Sequence, residues 1–130
     1  MNDRKKALIV DDDDVVRRLM GRLCQLHDID ATQIGTCDEI EEAFHNVPME
    51  YDIFFLDLIM PGISGWELLD RIRQTEGAHD KPVIIVTGAC LSASEQDKLL
   101  QKANHIMSKQ VLTVRLFKDI IQDHLGTPVY

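Results

Sequence analysis

Five short runs of apolar residues recur along this 130-residue chain, and each is followed by a segment with helical periodicity. The runs are ALIV from Ala7, IDATQIGTC from Ile29, DIFFLDL from Asp52, PVIIVTG from Pro82 and HIMS from His105. The first, third and fourth are continuously apolar, which predicts strands that are covered on both faces. The second and fifth are weaker, which indicates less buried strands.

The segments between these runs carry apolar residues at spacings of three and four, as amphipathic helices do. The predicted helices begin near Asp14, Asp38, Ser64, Ser92 or Ser94, and Val111. Asp38 would cap the second helix, with Glu41 completing a capping box. The last helix would run to Leu125 and end at Gly126.

Strands that alternate with helices predict an α/β domain, with a parallel sheet, helices on both faces and right-handed crossovers. Ligands of such folds bind beyond the carboxyl ends of the strands. The polar residues that follow the strands are therefore expected to gather at one rim of the sheet. They are Asp11–Asp14 after the first strand, Asp57 after the third, Thr87 at the end of the fourth and Lys109 after the fifth.

Asp57 lies within the apolar stretch FFLDLIM, where a carboxylate is costly unless something compensates it. Asp11 and Asp12 would add repulsion, since two such charges at roughly 4 Å and an effective dielectric near 20 cost on the order of 4 kcal/mol. Lys109 supplies one positive charge, too few for the group. The residues therefore predict a divalent cation with oxygen ligands, and Mg²⁺ suits an open, partly hydrated site.

Composition excludes several other classes of protein. The chain is 45% hydrophobic and 28% charged, as one globular domain is, and its net charge of −8 argues against an autonomous nucleic-acid binder. Cys24, Cys37 and Cys90 form no CxxC pair, which favours reduced thiols in a cytoplasmic protein. The apolar run near the start is too short for a signal peptide, and no segment approaches transmembrane length.

Four motifs together resemble the receiver domain of bacterial two-component response regulators. They are LIVDD, FFLDLIMPGISGWELL, PVIIVTGA and the late Lys109, in that family's order and covering essentially the whole chain. The resemblance implies a flavodoxin-like (βα)5 three-layer sandwich with a five-stranded parallel sheet of order 2-1-3-4-5. It also implies that residues 1–130 form a single receiver domain.

The resemblance implies a role for each residue of the rim. Asp57 would be the phospho-acceptor, a carboxylate nucleophile that forms an acyl phosphate. Asp12, with Asp11 helping directly or through water, would hold Mg²⁺ together with Asp57 and the backbone carbonyl of Ile59. Completing the site, Thr87 would hydrogen-bond the phosphoryl group and Lys109 would pair with it.

The implied partners are proteins. A sensor histidine kinase or a histidine phosphotransfer protein would donate the phosphoryl group, and a downstream protein or a fused output domain would read the altered surface. The chain would catalyse only its own phosphorylation and dephosphorylation, so it would not count as an enzyme. A homodimer is left open, and neither nucleic acid nor membrane is an expected partner.

The chain departs from the family at several positions. Gln110 follows the lysine where receivers usually have proline, and Ile106 stands where they usually have a tyrosine or phenylalanine that moves on activation. Ile59 and Ala89 carry no polar atom able to orient an attacking water, which predicts a long-lived phosphoryl group.

Other interpretations stay open at this stage. Asp13 and Asp14 fit helix capping better than metal binding. Taken singly, Thr87 fits an ordinary strand end and Lys109 an ordinary surface lysine. A degenerate receiver that only binds proteins constitutively is the main alternative function. A haloacid-dehalogenase-type phosphatase is another, but that family has a second aspartate two residues after its nucleophile, where this chain has Ile59.

Overall fold

A parallel sheet forms the centre of the computed structural model, which describes residues 4–45 and 50–126. The strands in these ranges are β1 (Lys6–Val10), β2 (Asp30–Ile34), β3 (Ile53–Leu56), β4 (Ile59–Met60), β5 (Ile63–Ser64), β6 (Val83–Thr87) and β7 (His105–Ser108). The helices are α1 (Asp14–Leu26), α2 (Cys37–His45), α3 (Gly65–Gln74), α4 (Ala93–Leu100) and α5 (Val114–Leu125).

The five longer strands pair in parallel in the order β2-β1-β3-β6-β7. Counted among themselves, they have the order 2-1-3-4-5, so the predicted flavodoxin-like topology is confirmed. The remaining two strands, β4 and β5, form a small antiparallel pair between β3 and α3.

Burial of the strands follows their hydrophobic patterns. Strands β3 and β6 are buried throughout, and β1 is buried from Ala7 onward. The edge strands β2 and β7 are only partly covered, as their weaker patterns predict.

Alternate residues of the sheet contribute to two separate cores. One core contains Leu8, Phe54 and Ile85, together with apolar residues from α2, α3 and α4. The other lies against α1 and α5, where the ring of Phe117 stacks on Phe55 with their centroids 5.4 Å apart. Both faces of the sheet are thus covered, which leaves the carboxyl ends of the strands as the open rim.

Most of the predicted helix boundaries are confirmed. Ser64 caps α3 by accepting a hydrogen bond from the backbone N–H of Glu67. Ser92, rather than Ser94, caps α4 and forms a capping box with Glu95. Gly126 ends α5 in the left-handed conformation at a φ of 62°.

The predicted cap of α2 is wrong. The helix begins at Cys37, and the Thr36 hydroxyl accepts a hydrogen bond from the backbone N–H of Glu39 at 3.2 Å. The Glu39 carboxylate accepts in turn from the Gly35 N–H and the Thr36 hydroxyl, each at 3.1 Å. Asp38 therefore lies inside the first turn, because the capping bonds form two residues earlier in the chain than predicted.

The predicted start of α5 is also wrong. Lys109–Val111 form a short 3-10 helix, and α5 begins at Val114 after its cap, Thr113. The Thr113 hydroxyl accepts from the backbone N–H of Leu116 at 3.1 Å.

Within the described ranges, every helix is too short or too polar to span a lipid bilayer.

Candidate functional site

The predicted site residues lie at the carboxyl ends of four neighbouring strands. Asp11 directly follows β1 and Asp57 directly follows β3, while Thr87 ends β6 and Lys109 follows β7. Val10 and Leu56 are paired across β1 and β3, so Asp11 and Asp57 leave the sheet side by side. The backbone N–H of Asp57 donates to the Val10 carbonyl at 2.9 Å, which continues this pairing beyond the strand.

Three carboxylates converge at this rim. One side-chain oxygen each from Asp11, Asp12 and Asp57 lies within 4.8 Å of the others. Asp11 and Asp57 are 2% and 5% exposed, whereas Asp12 is open to solvent. All the donor atoms are oxygens and one side of the cluster is open, so the residues present fit a hard, partly hydrated cation such as Mg²⁺.

Lys109 provides a positive charge against two of these carboxylates. Its Nζ lies 3.0 Å from an oxygen of Asp11 and 3.3 Å from an oxygen of Asp57. Burial alone would lower the pKa of Lys109, but the two carboxylates outweigh it and raise the pKa above its ordinary value. The ammonium therefore stays charged throughout the neutral range.

The lysine does not fully compensate Asp57. Burial, followed by the nearby Asp11 carboxylate, raises the pKa of Asp57 to about 6, against the opposing effects of Lys109 and the Ile59 N–H. The Ile59 N–H lies 3.4 Å from an Asp57 oxygen. Near neutral pH this side chain is thus a partly uncompensated carboxylate held in a mostly dry setting, which is the condition that favours binding of a further cation.

Thr87, the last residue of β6, and Ile59, the first residue of β4, border the acidic cluster. Thr87 is 3% exposed, and its hydroxyl oxygen accepts a hydrogen bond from the Ala89 N–H at 3.0 Å. Because this bond uses only a lone pair, the hydroxyl proton remains available for a donor role. Ile59 has a 69% exposed side chain at the edge of the rim.

Two of the four consecutive aspartates have structural partners in α1. The Asp13 carboxylate caps the helix by accepting from the N–H groups of Val15 and Val16, at 2.9 and 3.3 Å. Asp14 lies in the first turn and pairs with Arg17. The interpretation of Asp13 as a helix cap is therefore confirmed.

Arg17, which no sequence motif marks, also contacts the site. Its guanidinium donates to the backbone carbonyl of Asp11 at 2.7 Å. No feature of the sequence distinguishes Arg17 from its neighbour Arg18, because either could point along an exposed helix face. Contact with the rim becomes visible only once α1 is placed against β1.

Comparison with known proteins identifies the family. The family model of the response regulator receiver domain matches residues 7–121. The transcriptional regulatory protein CpxR of Klebsiella pneumoniae is 34% identical over 95 residues, which cover 73% of this chain. The chain spans only 37% of the length of that regulator.

Similarity also extends over whole proteins and solved structures. A chemotaxis protein CheY homolog of Campylobacter jejuni is 28% identical, with 94% of this chain and 93% of that protein covered. A receiver domain of a sensor histidine kinase from Pseudomonas aeruginosa, solved with a magnesium ion coordinated in its active-site cleft, superposes with a TM-score of 0.78. At 20% identity, covering 95% of this chain and 98% of that one, it supports the fold alone. Given the family match over most of its length, the chain belongs to the response regulator receiver domain family, the signalling modules of two-component systems.

Proposed function

We propose that this chain is a single receiver domain over residues 1–130 that acts as a phosphorylation-controlled switch, with Asp57 as the phospho-acceptor. The observation that carries this proposal is the convergence of the Asp11, Asp12 and Asp57 carboxylates with the Lys109 ammonium at one rim. Asp57 is the member that follows the central strand β3, and it is buried and beside the ammonium. A carboxylate so placed can act as a nucleophile toward phosphorus.

Mg²⁺ is the cofactor of the proposed reaction. Side chains of Asp11, Asp12 and Asp57 and the backbone carbonyl of Ile59 would hold it, and all of these donors are oxygens. When bound, the ion would neutralise negative charge on the phosphoryl oxygens. Support comes from the excess of acidic charge in the cluster and from the magnesium ion in the similar Pseudomonas aeruginosa receiver domain.

The chain's own residues divide the remaining work. An oxygen of Asp57 attacks the phosphorus of a phosphohistidine donor, the O–P bond forms as the P–N bond breaks, and the departing imidazole nitrogen takes up a proton. Lys109 would pair with the phosphoryl oxygens, and Thr87 would donate its free hydroxyl proton to one of them. Positioning and charge neutralisation of this kind supply most of the catalysis in phosphoryl transfer.

The proposed partners are a sensor histidine kinase or histidine phosphotransfer protein as donor and a downstream protein as target. In this proposal the chain modifies only itself, converts no external metabolite and acts in the cytoplasm, in keeping with its free thiols. The surface of α4, β7 and α5 would carry the signal, and homodimerisation through it stays open. Ile106 on β7 is half-buried and packs against the core. Phosphorylation would therefore change this surface without the movement of an aromatic ring.

Intact mass after incubation with acetyl phosphate tests this function. The wild type should gain one phosphoryl group in the presence of Mg²⁺ and none in its absence, and Asp57→Asn should gain none under either condition. If no adduct forms where a control receiver domain is labelled, the chain is instead a constitutive protein-interaction module. An adduct that persists in Asp57→Asn would contradict the choice of acceptor.

Ile59→Asn should shorten the lifetime of the phosphoryl group several-fold. The Ile59 side chain is exposed two residues after the acceptor and offers no polar atom, whereas an amide there could orient a water for attack on phosphorus. Decay of the adduct, followed by mass after removal of acetyl phosphate, measures the lifetime. Leu100→Asn is the control, since Leu100 is an exposed apolar residue at the end of α4. Equal decay in wild type and Ile59→Asn would contradict this explanation.

A further inference from the structure

We infer that Arg17 is a positioning residue of the acidic site and that Gly35 provides the space its guanidinium occupies. The inference rests on the proposed Mg²⁺ site. Arg17 lies one turn into α1, and its side chain is only 19% exposed despite its charge. One nitrogen donates to the backbone carbonyl of Asp11 at 2.7 Å, and another pairs with Asp14.

Gly35 lies directly against this guanidinium. A Cβ atom added at Gly35 would come 2.3 Å from a terminal nitrogen of Arg17, 2.9 Å from its central carbon and 3.3 Å from the backbone oxygen of Asp11. Among the described glycines, positive φ angles occur at Gly62, Gly77 and Gly126, so the backbone at Gly35 does not require glycine. What the arrangement requires at position 35 is therefore the absence of a side chain.

The contact controls the orientation of two predicted metal ligands at once. The carbonyl that Arg17 holds belongs to the peptide unit joining Asp11 to Asp12. The backbone N–H of Asp11 donates to the Ile34 carbonyl at 3.1 Å, which fixes the residue on its N-terminal side. The Asp11 carboxylate accepts from the Asp13 N–H at 2.9 Å. Holding this peptide unit fixes the direction in which both carboxylates leave the backbone.

Whether the loss of Arg17 weakens or tightens Mg²⁺ binding distinguishes a positioning role from a purely electrostatic one. Arg17 is a cation close to a cation site, so its charge alone opposes Mg²⁺ binding, and its removal would tighten binding. A positioning role predicts the opposite result, because a misdirected Asp11–Asp12 peptide presents its carboxylates poorly. Groups that orient the ligands of a metal typically contribute 10- to 100-fold in affinity.

Titration calorimetry of the whole chain with MgCl₂ provides the test. Arg17→Met should weaken Mg²⁺ binding by roughly tenfold, and Arg17→Lys should recover part of the loss because an ammonium can still donate to the Asp11 carbonyl. Arg18→Met makes the same change in charge at the exposed neighbour and should stay close to wild type. Binding by Arg17→Met that is as tight as wild type, or tighter, would overturn the inference.

Gly35→Ala supplies a second, charge-neutral test. The added methyl should displace the guanidinium and weaken Mg²⁺ binding much as Arg17→Met does, and the double variant should lose no more than Arg17→Met alone. Additive losses would show independent effects and overturn the shared mechanism. Urea denaturation midpoints show whether each variant is folded. If Arg17→Met does not fold, Mg²⁺ binding by Arg17→Lys and Gly35→Ala tests the inference instead. A wild type that binds no Mg²⁺ would overturn the proposed function and this inference together, whereas normal wild-type binding with an unaffected Arg17→Met overturns this inference only.

Discussion

Gly65→Ala should lower the free energy of unfolding by about 2–3 kcal/mol. A Cβ at Gly65 would lie 2.4 Å from the backbone oxygen of Asp57 and 2.7 Å from the Cα of Leu58. Both are main-chain atoms that cannot rotate away, so the loop or the helix must shift. The Gly65 N–H also donates to the Leu58 carbonyl at 2.8 Å, a bond that such a shift would strain. Urea denaturation measures the loss.

The same substitution should slow phosphorylation, because the loop that must move carries Asp57. Gly88→Ala is the matched control: a Cβ there meets only the Lys109 side chain at 3.8 Å, an ordinary contact, so its stability should change by less than about 0.5 kcal/mol. If Gly65→Ala proves as stable as Gly88→Ala, the loop and α3 are less tightly coupled than this packing indicates.

Asp57→Asn should raise the free energy of unfolding in Mg²⁺-free buffer at neutral pH by about 2–3 kcal/mol. Burial and the Asp11 carboxylate raise the pKa of Asp57 from 3.8 to about 6 in the folded chain. The folded state therefore holds the proton more tightly than the unfolded state, and ionisation costs stability as pH rises through this interval. Asparagine does not ionise, so the variant avoids that cost.

The stability gained by Asp57→Asn should depend on pH. The advantage of Asp57→Asn should be complete only at pH values well above 6 and should shrink as pH falls through 6 toward 3.8, below which the wild-type carboxyl is protonated in both states. Chemical denaturation across this range measures it, and Asp97→Asn on α4 controls for loss of one exposed negative charge. A variant less stable than wild type at pH 7 would mean that Lys109 compensates Asp57 fully. Added Mg²⁺ should stabilise the wild type more than the variant.

The sheet and the location of the candidate site could be predicted from the sequence because both depend on local patterns. A continuous apolar run such as IFFL can be satisfied only by burial on both faces, and the runs that become β1, β3 and β6 are buried almost throughout. A polar residue directly after such a run must then lie at the carboxyl rim. Asp11 and Asp57 follow such runs and Lys109 follows the weaker run HIMS, and the three side chains converge.

No comparable pattern in the sequence predicts the contacts between separate helices, strands and loops. The capping of α2 by Thr36 rather than Asp38 depends on which side chain reaches a free N–H once β2 has ended, and both residue types are good caps. Close packing at Gly65 under the rim is implied by the resemblance, but the backbone atoms of Asp57 and Leu58 that it meets depend on how α3 docks against the loop after β3.

The sequence by itself determined the five strands of the main sheet and the residues that follow them, because hydrophobic periodicity is a property of neighbouring positions in the chain. The order of these strands was implied by the family resemblance. Only the tertiary structure decided that Arg17, and not Arg18, reaches the Asp11 carbonyl and that Gly35 leaves room for it. Those choices depend on distances between α1, β1 and the end of β2, which are set only when the elements pack together.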